Sequence, residues 1–168
     1  MPRRERLYGS VIGWEGWQFA IVSSLKGLRY VDLHGSPLSG LSERLNAHVA
    51  PDDERNLPAL RELREYLAGE RELFSIPLDI QGTPFQQSVW KAIRGVPYGK
   101  TTSYEEIAVR VGRPKATRAV GQAVGANPVP IFIPCHRIVG KQGDLTGYGG
   151  GLPLKERLLA LEHGSLDL

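Results

Sequence analysis

Three strand-like runs separated by two turn signals fill the first 34 residues, and this pattern limits the fold more than any other feature. The runs cover residues 7–12, 17–23 and 27–33, and the breaks fall at 14–16 and 24–26. Short apolar runs joined by such turns form hairpins. The sequence therefore predicts a three-stranded antiparallel sheet near the N-terminus.

The spacing of apolar residues becomes helical after this sheet. Residues 41–49 show a weak helical pattern, and residues 57–68 show a strong one that stops at Gly69. Residues 73–80 have an extended pattern. The first 80 residues are thus predicted to form an α+β domain. Because it contains no evident site of its own, we expect it to support the rest of the chain.

Helix start signals dominate from residue 82 onward. Thr83 and Gln86 have the spacing of a capping box, before an apolar stripe that should end near Gly95. Ser103 and Glu106 have the spacing of a second capping box. Both signals predict that an apolar helix begins one residue after the cap.

Two further helices complete the second half. A small-residue helix over 115–124 follows a tight turn at 112–114, and a last helix over 153–161 precedes Gly164. Two short helices around a glycine-containing turn are typical of a helix-turn-helix, and an ordinary helical hairpin is the alternative. We predict an α+β protein in which residues 81–168 form an all-helical domain, and a winged or helix-turn-helix-type DNA-binding domain is one interpretation of its helix pair.

Charge is divided unevenly between the two halves. Residues 1–80 contain ten Lys/Arg and twelve Asp/Glu, whereas residues 81–168 contain eleven and six. A basic second half favours a polyanionic partner, and a solvated basic face is the alternative. The single cysteine excludes an internal disulfide. Residues 1–13 lack the apolar stretch of a secretory signal, and no run approaches the roughly 18 apolar residues of a membrane span. We therefore expect a cytoplasmic protein without a membrane partner.

The single cysteine, Cys135, lies in the segment IPCHRIVG directly before His136 and Arg137. Neighbouring cations favour a thiolate, and Glu162 on the last helix has the chemistry to orient the histidine. Adjacent side chains on extended backbone point to opposite faces, so a water would have to bridge Cys135 and His136. From these residues alone, a nucleophilic thiol and a buried, inert thiol are both open.

A glycine-rich loop, GKQGDLTGYGGG, follows at residues 140–151. Its glycines let the backbone approach a flat ligand closely. The loop lacks the Lys-Ser/Thr ending of a phosphate-binding loop, and no strand-glycine-helix pattern supports a dinucleotide site. We therefore expect a ligand-contacting loop and no cofactor.

Five segments of the second half share one resemblance. They are NPVPIFIPCHRIVG, RAVGQAVGANP, FQQSVWKAI, PYGKTTSYEEIA and LTGYGGGLPLKERLLALE. In sequence, order and spacing they resemble the blocks of the O6-alkylguanine-DNA alkyltransferase family. The resemblance covers about residues 82–162, whereas the first 80 residues resemble the family's N-terminal domain only loosely.

The resemblance implies direct-reversal DNA repair. The alkyl group of O6-alkylguanine, and less well that of O4-alkylthymine, would move irreversibly to Cys135 in a single turnover after base flipping. His136, held by Glu162, would take the thiol proton through a water. Tyr104 would protonate N3 of the leaving guanine, and Asn127 would brace the neighbouring turn.

The same resemblance assigns the DNA contacts and the base pocket. Arg118 would fill the space left by the flipped base, with its helix in the minor groove, where sequence readout is poor. Other DNA-contacting residues would be Lys115, Ala116, Ala119, Gly121, Thr102 and Ser103. The base pocket would comprise Tyr148, Gly149, Gly150, Val139 and Pro130. The implied partner is double-stranded DNA, bound without sequence preference by a monomer; cooperative binding is left open.

Three sequence features separate subgroups of the family. Some relatives bind a structural zinc through N-terminal cysteines and histidines, but the first half offers only His34 and His48, so we expect no metal. Relatives with tryptophan at the acceptor position only bind the lesion, so Cys135 predicts transfer. Gly149 stands where some relatives have serine and removes one hydroxyl contact to O6.

Two other functions are alternatives. A helix-turn-helix regulator with an inert cysteine shares the basic half and the helix pair, and it predicts that Cys135→Ser retains every activity. A cysteine hydrolase would use Cys135, His136 and Glu162, and it predicts repeated turnover on an ester or amide.

Overall fold

A computed structural model describes residues 3–164 of the protein. The chain divides into two compact units, and the boundary falls between Ile80 and Gln81. The outer ends of the predicted domains 1–80 and 81–168, at residues 1–2 and 165–168, lie outside the described residues.

The first unit is built on a four-stranded sheet in the order β3-β2-β1-β4. β1 (Arg6–Trp14), β2 (Trp17–Ser23) and β3 (Leu28–Asp32) are antiparallel neighbours, as the turn signals predict. β4 (His48–Pro51) pairs in parallel with β1, so the prediction of a three-stranded antiparallel sheet is wrong in strand number. Four residues are too few to show a strand pattern when a helical pattern overlaps them.

Two helices accompany this sheet. α1 (Leu38–Arg44) connects β3 to β4. These two strands run parallel at opposite edges of the sheet, so the chain needs a crossover between them. The weak pattern over residues 41–49 therefore marks the end of α1 and the start of β4, and the prediction of one helix there is wrong. α2 (Leu57–Leu67) agrees with its strong pattern. The buried core against α1 consists of Leu7, Ala20, Val22, Leu41, Ala47 and Val49.

The second unit is mainly helical. Its elements in chain order are α3 (Pro84–Arg94), β5 (Thr102–Ser103), α4 (Tyr104–Arg110), α5 (Thr117–Gly125), a 3₁₀ turn (Cys135–Arg137), β6 (Ile138–Val139) and α6 (Leu152–His163). β5 and β6 pair in parallel, so the prediction of an all-helical unit is wrong in this detail. Strands of two residues are too short to leave a sequence pattern. Because the pairing is parallel, the 3₁₀ turn lies beside the residues that precede β5, and the start of α4 lies beside Gly140, where the glycine-rich loop begins.

The predicted caps set the helix starts. Thr83 Oγ1 accepts from the Gln86 backbone N–H at 3.1 Å, and Gln86 Oε1 accepts from the Thr83 N–H at 2.9 Å, which confirms the first capping box. Ser103 likewise accepts from the Glu106 N–H at 3.1 Å. The Glu106 carboxylate, however, lies 3.7 Å from Arg110 Nε, so only the serine half of the second box forms.

Candidate active site

The thiol lies on a tight buried turn. Cys135, His136 and Arg137 form one turn of 3₁₀ helix, and the Cys135 N–H donates to the Ile133 carbonyl at 2.7 Å. The expectation of extended backbone at Cys135-His136 is therefore wrong. Pro134 precedes the turn with φ −79° and ψ 64°, which is outside the extended region. All three side chains are buried, so their polar atoms require protein partners.

One carboxylate supplies most of those partners. Glu162 on α6 accepts from His136 Nε2 at 2.7 Å and from Arg137 Nε and Nη2 at 2.8 and 2.9 Å. It also accepts from the Gly99 backbone N–H at 3.2 Å. Arg137 further donates to the Val96 carbonyl at 2.7 Å, so its guanidinium is held by this bond and by the salt bridge to Glu162. Four donors compensate the burial of this negative charge.

The histidine is held in its neutral form. Burial lowers the pKa of His136 below its ordinary value of 6.5, although the hydrogen bond to Glu162 acts in the opposite direction. A neutral ring that donates through Nε2 carries its lone pair on Nδ1, a tautomer that follows from the hydrogen-bond network. Any proton relay toward Cys135 must therefore run through Nδ1.

Burial also dominates the electrostatics of the thiol. It raises the pKa of Cys135 from 9.0 to about 11, while a hydrogen bond from Asn127 and the charge of Lys155 act in the opposite direction. The cation that favours the thiolate is thus Lys155 rather than the adjacent Arg137, whose charge is compensated by Glu162. The resting thiol is protonated at neutral pH and needs a base to become nucleophilic.

Asn127 braces the segment before the thiol. Its Nδ2 donates to the Ile133 carbonyl at 2.8 Å, and its Oδ1 accepts from the Val129 N–H at 3.0 Å. These bonds hold an irregular segment in which Ile131 adopts φ +76°, a conformation that β-branched residues avoid. Asn127 therefore fixes the path of the chain into the turn that carries Cys135.

Lys155 is a buried site residue that the sequence reading missed. Its Nζ donates to the Ile138 carbonyl at 2.6 Å and to the Thr146 carbonyl at 3.2 Å. Burial lowers the pKa of this lysine, although the nearby Cys135 raises it. The helical spacing could have indicated that Lys155 is buried. Lys155 and Glu162 lie seven residues apart, on the same buried stripe of α6 as Leu158.

Three of the five predicted pocket residues lie in the glycine-rich loop, and a fourth, Val139, directly precedes it. Val139 is buried in β6, Pro130 and Gly150 are half-buried, and Gly149 is exposed with no atom within 4 Å of where a Cβ would lie. The Tyr148 hydroxyl is buried, and it has no hydrogen-bond partner among residues 3–164. Burial raises the pKa of Tyr148 well above 10.0, so this phenol stays protonated and can donate to a bound ligand.

Tyr104 is the first residue of α4. Its hydroxyl lies 3.0 Å from Thr146 Oγ1, a hydrogen bond in which either group can donate. A Cβ on Gly121 would lie 3.9 Å from Tyr104 Cδ1, so the tyrosine ring packs over this glycine of α5. Tyr104 therefore contacts both α5, through Gly121, and the glycine-rich loop, through Thr146.

α5 presents the predicted DNA-contacting residues on its exposed side. Its buried side consists of Val120, Ala123 and Val124, and Trp90 Nε1 on α3 donates to the Ala123 carbonyl at 2.9 Å. Arg118, Ala119 and Lys115 are exposed, whereas Ala116, Gly121, Thr102 and Ser103 are half-buried. The helix begins at Thr117, so the prediction of a start at Lys115 is wrong: Lys115 lies in the turn and Ala116 precedes the first helical residue.

Within the described residues, no group of three or more His, Cys, Asp or Glu side chains could hold a metal ion. In the same part of the chain, no helix has the length and apolar character to cross a membrane.

Comparisons with known proteins cover both units. The family model for the 6-O-methylguanine DNA methyltransferase ribonuclease-like domain matches residues 7–80, and that for the DNA binding domain of the same family matches 84–164. The inducible methylated-DNA–protein-cysteine methyltransferase of Bacillus subtilis is 44% identical over 161 residues, 93% of this chain and 90% of that one. The Mycobacterium tuberculosis methyltransferase is 49% identical over 135 residues, 77% and 82% of the two chains.

A solved structure shows the same similarity. The crystal structure of Mycobacterium tuberculosis OGT in complex with DNA superposes with a TM-score of 0.82 at 39% sequence identity. The match covers 95% of this chain and 93% of that chain.

Proposed function

The chain belongs to the 6-O-methylguanine DNA methyltransferase family, and we propose that Cys135 is the residue that accepts the alkyl group. The protein is a DNA repair enzyme of the methylated-DNA–protein-cysteine methyltransferase type, and its partner is DNA. The observation that carries the assignment is the buried hydrogen bond between His136 and Glu162 beside the chain's single cysteine. An inert core thiol has no use for a buried base that is fixed in one tautomer.

The proton and electron transfers follow from this arrangement. His136 Nδ1 takes the thiol proton through a water, and Glu162 stabilises the resulting imidazolium. The Cys135 sulfur then forms a bond to the alkyl carbon as the bond between that carbon and O6 breaks. The electron pair of the broken bond goes to the guanine, and Tyr104 supplies a proton to its N3.

The protonated resting state of the thiol suits a protein that reacts once. With a pKa of about 11, Cys135 forms a thiolate only when the base acts, so it resists oxidation and unspecific alkylation until substrate arrives. The thioether product offers no leaving group for turnover. Because the sulfur is buried, an added methyl group overpacks its surroundings, which typically costs about 1–3 kcal/mol. We expect the alkylated protein to be inactive and less stable.

DNA engagement is assigned to the exposed side of α5. We propose that the helix enters the minor groove of duplex DNA as part of a monomer and that Arg118 occupies the space of the flipped nucleotide. Lys115, in the turn before the helix, is suited to a phosphate contact because it is exposed. The small Ala116, Ala119 and Gly121 leave room for close approach of the DNA backbone.

The flipped base is assigned to the space beside the glycine-rich loop. The Tyr148 hydroxyl is a buried donor available to the ligand, and the carbonyls of Cys135 and Val139 would accept from the exocyclic amine. Gly149 and Gly150 leave the wall open, and Pro130 stiffens the opposite segment. O4-alkylthymine would fit this space less well because it lacks that amine. We also propose a cytoplasmic location, where a thiol stays reduced.

Intact-protein mass spectrometry tests the function directly. The protein is incubated with excess duplex that contains O6-methylguanine, and we expect a gain of one methyl group on Cys135 and unmodified guanine in the DNA. Cys135→Ser should bind the duplex without accepting the group. An unmodified protein under these conditions would favour the DNA-binding regulator, and turnover on esters or amides would favour the hydrolase.

A further inference from the structure

We propose that Thr146 is a positioning residue for this reaction, because its hydroxyl donates to the Tyr104 oxygen and thereby directs the phenol proton toward N3 of the leaving guanine. The inference rests on the proposed function and adds to it a residue that acts through Tyr104. The two hydroxyl oxygens lie 3.0 Å apart and belong to residues separated by 42 positions in the chain.

Chemistry decides which of the two hydroxyls donates. A phenol has one proton, and if Tyr104 gave that proton to Thr146 it could not give it to guanine. The arrangement that leaves the phenol proton available has Thr146 as donor and Tyr104 as acceptor. This hydrogen bond also restricts rotation of the phenolic hydroxyl, so its proton is held in the remaining directions.

Thr146 is itself held on both sides. Lys155 Nζ donates to the Thr146 carbonyl at 3.2 Å and to the Ile138 carbonyl at 2.6 Å, which joins the loop to β6. β6 pairs with β5, whose last residue, Ser103, directly precedes Tyr104. Lys155, Thr146, Tyr104 and the β5-β6 pair thus form a closed circuit of bonds. The distance between the two hydroxyls is set by this circuit and not by a free loop.

Proton transfer makes the same hydrogen bond stronger. As the bond between the alkyl carbon and O6 breaks, Tyr104 gives its proton to N3 and is left with a negatively charged oxygen. The Thr146 O–H already points at that oxygen, and hydrogen bonds to ionised acceptors are roughly twice as strong as neutral ones. The Tyr104 oxygen afterwards recovers a proton from solvent as the His136 imidazolium releases one, so that the net transfer is one proton from the thiol to guanine.

Three variants separate this role from simple packing of the loop. Thr146→Val keeps the shape and removes the hydroxyl, Thr146→Ser keeps the hydroxyl, and Thr101→Val is a control at an exposed threonine. We expect Thr146→Val to slow single-turnover transfer from methylated duplex by about tenfold, equal to one hydrogen bond of about 1.4 kcal/mol. Thr146→Ser should recover most of the wild-type rate, and Thr101→Val should retain it.

Two further measurements distinguish a positioning role from damage to the folded site. The rate of Cys135 alkylation by iodoacetamide reports whether the thiol keeps its buried environment, and it should not change in Thr146→Val. In a Tyr104→Phe background, Thr146→Val should cause no additional loss, because the group on which it acts is gone.

The outcomes distinguish the two proposals. If the wild-type Cys135 stays unmodified by methylated duplex, the proposed function fails. If the wild type reacts but Thr146→Val reacts equally fast, or Thr146→Ser is as slow as Thr146→Val, the positioning role is overturned. Losses that add up fully in the Tyr104→Phe background would also overturn it.

Discussion

His136 Nε2 donates a hydrogen bond to Glu162 Oε2 at 2.7 Å, and both side chains are completely enclosed by protein. The same carboxylate compensates the charge of Arg137. Glu162 therefore has two separable effects: it sets the tautomer of the base, and it stabilises a buried cation.

Glu162→Gln tests both effects. The change leaves Arg137 without a counter-charge, and removing one partner of a buried pair typically destabilises by about 3–5 kcal/mol. Loss of the oriented base should slow alkyl transfer by about 10²-fold or more. Urea unfolding and single-turnover transfer measure the two losses. Glu156→Gln, on the exposed side of the same helix, is the control and should leave both values near wild type. Wild-type transfer by Glu162→Gln would contradict the base assignment.

Reactivity of the free protein should rise at unusually high pH. Because burial raises the pKa of Cys135 from 9.0 to about 11, the rate of alkylation by iodoacetamide should still increase between pH 9 and pH 11. A thiol with a pKa of 9.0 is already half ionised at pH 9, so its rate would rise only about twofold and level off near pH 10, whereas a pKa of about 11 gives a rise of roughly 50-fold up to pH 11. The measurement is a pH series of initial rates, and a rate that levels off near pH 10 would contradict the burial effect.

The same shift has a consequence for stability. Between pH 9.0 and about pH 11, Cys135 keeps its thiol proton in the folded protein and loses it in the unfolded chain. The contribution of the protonated thiol to the free energy of unfolding is therefore fully present below pH 9 and is lost as the pH rises toward 11. A shift of about two units corresponds to at most roughly 3 kcal/mol. Urea unfolding at pH 8 and pH 10.5 should show a smaller difference for Cys135→Ala than for the wild type.

Arg118→Ala should affect repair of duplex DNA more than reaction with the free modified base. The side chain is assigned to the gap left by the flipped nucleotide, and unstacking a base costs a few kcal/mol. We expect at least a tenfold slower transfer from duplex, with little change for free O6-methylguanine. Arg61→Ala, an exposed arginine of the first unit, is the control. Equal losses on both substrates would argue against a role in base displacement.

Lys155→Met should weaken the site without removing any reacting group. The substitution keeps the length of the side chain but leaves the carbonyls of Ile138 and Thr146 without their donor. It also removes the positive charge that favours the Cys135 thiolate, so the pKa of the thiol should rise further. The pH profile of iodoacetamide alkylation should shift upward relative to wild type. Lys100→Met, at an exposed position, should leave it unchanged.

Two glycines of the same loop should respond oppositely to serine. A Cβ at Gly149 meets no atom within 4 Å, so Gly149→Ser should change the free energy of unfolding by less than about 0.5 kcal/mol. Its hydroxyl should alter the rate with O6-substituted guanines. Gly151 adopts φ +92°, a conformation that residues with a side chain rarely adopt, so Gly151→Ser should be destabilising. Thermal unfolding of the two variants provides the comparison.

The elements that sequence predicts well are those whose signals act between neighbouring residues. Thr83 and Gln86 are three positions apart and bond to each other, and Gly164 ends α6 with φ +70° at the position where its stop signal lies. The three-strand meander was equally clear, because alternation and turn residues are local properties. Five segments of the second half, including the one around Cys135, carried the resemblance to the family through their sequence, order and spacing.

The sequence by itself thus determined the three antiparallel strands, most of the helices, and the adjacency of a cysteine and a histidine in the chain. The tertiary structure decided the parallel strands β4, β5 and β6, the hydrogen bonds of Lys155 and Thr146, and the burial that keeps the thiol protonated. The physical reason is that a pKa or a hydrogen-bond partner depends on atoms in contact. At Cys135 those atoms come from Asn127 and Lys155, which no local pattern connects.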